Sequence, residues 1–144
     1  MSQPPPPPSG SDREPPRRIP SAMRSDFGRI IENLMDVPGS MGAVLVDDHG
    51  YAIDYVHDPE LLAELDVQLL GAQVGQIVAR TQKSAEKHDL GTAVVLVEGE
   101  LASLIAASVG IVYVLAFMLR RDANLDQGLT HFAAVRSTVE HLLT

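Results

Sequence analysis

From Ser25 onward the apolar positions fall into regular rhythms. Phe27, Ile30, Ile31, Leu34 and Met35 recur at the spacing of an amphipathic helix, with Ser25 as its cap and Pro38-Gly39 as its stop. Residues 42–47 are short and β-rich, Asp48-His49-Gly50 is turn chemistry, and residues 51–56 return as the second strand of a hairpin. Asp58-Pro59-Glu60 reads as a helix start, with a capping carboxylate, a proline at the first helical position and an acid near the positive dipole end. That helix is expected to run to about His88, with Lys83, Lys87 and His88 at its negative end and Gly91 at its exit. Residues 92–97, 101–107 and 111–119 read as three more strands, joined by Glu98-Gly99-Glu100 and Ser108-Val109-Gly110. Asp126 opens a last helix bearing Leu129, Phe132, Ala133, Val139, Leu142 and Leu143. The order α-β-β-α-β-β-β-α with short turns implies an α/β (α+β) domain: a five-stranded antiparallel sheet with helices on its faces.

The long helix carries more apolar surface than one sheet can cover. Ala63, Val67, Leu70, Val74, Ile77 and Val78 form the stripe expected to face the sheet. Gly71, Gly75 and Ala79 recur at four-residue spacing, where glycine costs roughly 1 kcal/mol relative to alanine and so suggests a second backbone close by. Leu61, Leu65 and Ala72 lie beyond the reach of a single sheet, which points to a partner subunit or a partner protein. The remaining face holds Asp66, Gln73, Gln76, Arg80, Lys83 and Lys87; its plain reading is a solvated face, its sharper one a basic rim for an acidic partner.

Residues 101–119 contain no charge and precede Arg120-Arg121, a pattern that also fits a single membrane-spanning helix. A buried hairpin is the better reading. Ser108-Val109-Gly110 supplies a turn at the midpoint, and Val109, Ile111, Val112, Tyr113 and Val114 favour strand.

Composition narrows the chemistry. The formal net charge of -8 argues against nucleic acid as a partner, and the absence of cysteine removes disulfides, zinc-thiolate sites and thiol nucleophiles while fitting a cytoplasmic location. Residues 1–24 differ in kind: an unbroken run Pro4 to Pro8, then Pro15, Pro16 and Pro20, with Arg13, Arg17, Arg18 and Arg24. Such a tail is expected to be a disordered spacer unable to join a sheet, or a docking peptide in which Pro15-Pro16-Arg17-Arg18 binds a further protein. No phosphate-binding glycine loop occurs, so no nucleotide cofactor is expected. His49, His57, His88, His131 and His141 lack zincin spacing. Asp54, His57 and Asp58, like Asp47, Asp48 and His49, read as turn residues before they read as metal ligands, and no catalytic pair emerges.

Val37-Pro38-Gly39-Ser40 leading into Gly42-Ala43-Val44-Leu45-Val46-Asp47, Gly50 in the hairpin turn, the long helix and the three following strands resemble the roadblock/LC7 family over residues 25–144. That family includes dynein light chains and bacterial regulators of a small Ras-like gliding GTPase. The resemblance implies a sheet with the long helix on one face and two shorter helices on the other. It implies a non-enzymatic homodimer, joined through the long helix (Gly71, Gly75, Ala79) and the third strand (Val94, Val95). It also implies a small Ras-like GTPase as partner; the surplus apolar surface of the long helix offers Leu61, Leu65, Ala72 and Gln76, with Lys83 at the rim, to receive it. A structural scaffold subunit with no effect on GTP turnover is the alternative.

Overall fold

The computed structural model describes residues 19–20 and 25–143; the proline run and the arginines of the tail lie outside them. The elements are β1 (Ile19–Pro20), α1 (Asp26–Ile31), a 3-10 turn (Glu32–Asp36), β2 (Ser40–Val46), β3 (Ala52–His57), α2 (Glu64–Lys87), β4 (Val94–Glu98), β5 (Ala102–Val109), β6 (Tyr113–Arg120) and α3 (Leu125–Leu143). The strands form one antiparallel sheet in the order β1-β3-β2-β6-β5-β4. Five of these strands are the expected ones. The sixth, β1, corrects the expectation that the tail cannot join a sheet: Ile19 pairs with His57 and Pro20 with Val56. Proline is tolerated there because β1 is an edge strand, where a missing N–H need not break a ladder.

The sheet separates two cores. On one face Ala43, Leu45, Val56, Ile105, Phe117 and Leu119 pack with Leu34 and Met35 and with Phe132, Val135 and Val139 of α3. On the other, Val44, Val46, Tyr55, Ala106, Val114 and Ala116 pack with Val67, Val74 and Val78 of α2. Alternate residues of each strand thus serve opposite layers, as the period of two requires. The first helix starts where the sequence indicates. The Ser25 hydroxyl accepts from the Gly28 N–H at 3.2 Å and donates to Asp54 Oδ2 at 2.7 Å, so this cap is anchored on β3. Residues 101–119 are the β5–β6 hairpin, with Ala102 opposite Arg120 and Val109 opposite Tyr113, so the membrane-span alternative falls. Among the described residues no helix is long and apolar enough to cross a membrane.

The start of α2 is a second correction. Asp58 closes a separate turn instead of capping the helix: its side chain accepts from the Glu60 N–H at 3.0 Å, and its carbonyl from the N–H groups of Leu61 and Leu62. His57 Nδ1 lies 2.7 Å from the Leu62 carbonyl, to which it must donate, and that carbonyl is thereby held by the sheet. Helix geometry resumes only after Ala63, which has no side-chain cap bond.

Candidate functional site

α2 meets its sheet through Val67, Gly71, Val74 and Val78, all buried. Gly71 is the close approach in this contact. A Cβ there would stand 2.7 Å from Val46 Cγ1 and 2.9 Å from Val44 Cγ1. The backbone proximity inferred from the glycine spacing is therefore real at Gly71, where the close neighbour is this chain's own sheet. Gly75 is half-buried, with only Val46 near, and Ala79 is exposed. Ala72 is half-buried against the Gly50 turn, 3.3 Å from where a Gly50 Cβ would sit.

The outward surface of α2 carries exposed apolar side chains among charged and polar ones. Leu61, just before the helix, is exposed, and Leu65, Leu69 and Ile77 are 63%, 50% and 54% exposed. Gln76 and Lys83 are exposed beside them. Ile77, expected against the sheet, instead points away from it. Leu69 escapes the sequence reading, although Leu61, Leu65 and Leu69 recur every four residues, the signal of one helical stripe.

β4 is the other uncovered apolar element. Among the described residues it pairs only with β5, leaving its second edge open. Val94 lies opposite Ala107 and Val95 opposite Ala106, so the two valines look to opposite layers. Val94 and Val97 are each 49% exposed, Leu96 is exposed, and Val95 is half-buried. Apolar residues on both faces of an open edge are unusual for a strand left in water. At the far end of the sheet, a groove of about 450 Å³ runs between α2 and two hairpin tips, lined by Asp47, His49, Ala72, Gln76, Lys83 and Ile111 among others.

Comparison with solved structures fixes what this arrangement is. A roadblock/LC7 domain from Streptomyces avermitilis superposes with a TM-score of 0.70 at 22% identity, covering 83% of this chain and 100% of that one. The chain has the roadblock/LC7 fold. The gliding protein MglB of Thermus thermophilus shares that fold, with a TM-score of 0.69 at 17% identity over 80% of this chain and 86% of that one. Myxococcus xanthus MglB does so with a TM-score of 0.65 at 18% identity, over 83% and 98%. By sequence, no family model and no curated protein matches the chain.

On this roadblock/LC7 scaffold the titratable groups are engaged one by one. Asp54 accepts from Ser25 on the α1 side of β3, whereas His57 bonds to Leu62 on the α2 side, so Asp54, His57 and Asp58 do not converge on a metal. Asp47, Asp48 and His49 do cluster, but on an exposed turn where Asp47 Oδ1 accepts from the N–H groups of His49 and Tyr51. Tyr55 is buried under α2 and donates to Glu64. Burial first, and the Glu64 carboxylate second, push its hydroxyl up to about 12. A proton held that firmly is a structural donor and not an acid for chemistry at neutral pH.

Proposed function

We propose that the chain is a non-catalytic homodimeric regulator or adaptor, acting in the cytoplasm, that binds a small Ras-like GTPase and modulates its nucleotide cycle or placement. The observation that carries this is the uncovered apolar side chains of α2 and the turn before it, with Leu65, Leu69 and Ile77 exposed on a helix whose inner face is already satisfied and Leu61 exposed just ahead of it. Surfaces of this kind on soluble proteins mark interaction sites. The open, apolar β4 edge supports dimerisation by strand pairing between two copies, with Val94, Val95, Leu96 and Val97 at the seam and the two long helices on the same side of the joined sheet. Gly75 and Ala79 remain available on the flank of α2, with Gly71 buried against the sheet. Leu61, Leu65, Ala72 and Gln76 would receive the GTPase, with Lys83 at the rim steering the encounter. Similarity in fold to two MglB proteins, one of them a gliding protein, accords with this reading.

The test separates regulator from scaffold. Single-turnover GTP hydrolysis and nucleotide release by a small Ras-like GTPase are measured with and without the chain. A regulator changes one of the two rates at least several-fold. Binding with both rates unchanged makes the protein a scaffold subunit, and no binding rejects the GTPase reading.

A further inference from the structure

The exposed side of α2 is symmetric about Gln73. Asp66, Leu69, Gln73, Ile77 and Arg80 are all exposed, and the steps between them are three, four, four and three residues. At about 100° per residue all five lie within about 40° of Gln73, so they form one stripe about 21 Å long. The stripe turns away from Val67, Val74 and Val78, which pack on the sheet. Leu65, Ala72, Gln76 and Lys83 stand beside it, about 60–100° further round the helix.

The chemistry of the stripe is self-complementary. In an antiparallel pair of such helices, turned about a two-fold axis at Gln73, Asp66 meets the partner's Arg80, Leu69 meets the partner's Ile77, and the two Gln73 amides meet each other. We propose that α2 packs in this way against α2 of a second copy, and that Asp66 and Arg80 are the residues that select that copy and its direction. The inference rests on the homodimer reading above and adds the residues that decide which chain is accepted. Charge selects the occupant. No lysine or arginine occurs between Arg29 and Arg80, so the first half of α2 is acidic at Glu64 and Asp66, and Arg80, Lys83 and Lys87 all fall in its second half. Parallel copies set Asp66 against Asp66 and Arg80 against Arg80, whereas antiparallel copies turn both contacts into ion pairs. The polar side chains are also uncommitted: among the described residues those of Asp66, Gln73 and Arg80 have no hydrogen bond or ion pair. Leu69 and Ile77, 50% and 54% exposed, cover one another in this register, flanking paired amides that each donate and accept. The result is an apolar centre with charges at its rim. Leu65, Ala72, Gln76 and Lys83, the side chains offered to a GTPase, are not used.

Charge reversal tests the seam in the full chain, with no GTPase present. Wild type, Asp66→Arg, Arg80→Asp and an equimolar mixture of the two variants, one carrying an added mass tag, are compared by analytical ultracentrifugation over a concentration series and by native mass spectrometry. Either variant alone sets like charges together at both ends of the seam. In the mixture every arginine of one chain meets an aspartate of the other. The expected result is a dimer dissociation constant raised at least about tenfold for each variant alone, and heterodimers of near wild-type strength in the mixture, weakened by about 0.5 M salt. Recovery in the mixture also shows that both variants are folded. Gln73→Cys, in a chain with no other cysteine, is expected to form a disulfide between copies on mild oxidation, and its failure to do so overturns the axis at Gln73. Variants that dimerise as tightly as wild type, or a mixture no tighter than its components, overturn this seam while a wild-type dimer still stands on β4. A wild type that stays monomeric at high micromolar concentration overturns the seam and the homodimer reading together.

Discussion

Two glycines one turn apart on α2 play different parts. A methyl group at Gly71 would enter the space of Val44 and Val46, at 2.9 and 2.7 Å, whereas at Gly75 it would make ordinary contact with Val46 at 3.4 Å. Gly71→Ala is expected to destabilise by about 1–3 kcal/mol through overpacking. Gly75→Ala is expected to be neutral or to stabilise by up to about 1 kcal/mol, from helix propensity. Urea denaturation of the two variants checks the opposite signs. The sequence marks both positions by the same four-residue spacing. Spacing records that something comes close, not whether it is the chain's own sheet or another molecule. Tyr55 offers a second test at this scale. Its proton is held to about 12 in the folded state against about 10 unfolded, so its contribution is complete below pH 10 and is lost as pH rises toward 12. Wild type should lose more stability than Tyr55→Phe across that window, read by denaturant melts at pH 9.5 and above.

Among the elements, the hairpins are legible in the sequence because their signals are local. Asp47, Asp48 and Gly50 close the β2–β3 turn, and Gly110, at φ +62°, falls in the turn between β5 and β6. The start of α2 is not legible, because it depends on His57 reaching five residues along the chain to Leu62, and no local propensity encodes that bond. β1 is hidden for a related reason: pairing with His57 and Val56 is non-local, and the surrounding prolines read as disorder. At the β4 edge the sequence points to Val94 and Val95, while Leu96 and Val97 are exposed beside them. Val97→Arg, on an exposed side chain, is expected to leave the melting temperature within a few degrees while converting a dimer to a monomer. Light scattering at high micromolar concentration is the check. A monomeric wild type, or a mutant that remains dimeric, removes β4 from the seam.

For the molecule as a whole, both cores and their order are readable from period-two and period-3.6 patterns, because each strand feeds one layer with alternate residues. The outer surface is readable only in part. Leu61 and Leu65 stand out as surplus to the sheet, but Ile77 reads as inward, since a helix flank cannot be told from its centre without the crossing geometry. This outer surface of α2 is the proposed binding face for a small Ras-like GTPase. It is tested most directly by titrating such a GTPase, loaded with GTP analogue, against wild type and Leu65→Arg by calorimetry, with circular dichroism confirming that the variant is folded. Leu65 is 63% exposed, so the arginine is accommodated without disturbing the core. The expected result is an intact fold with affinity weakened at least about tenfold, about 1.4 kcal/mol or more, as for loss of an apolar anchor. A folded Leu65→Arg variant that binds as tightly as wild type excludes this surface as the site.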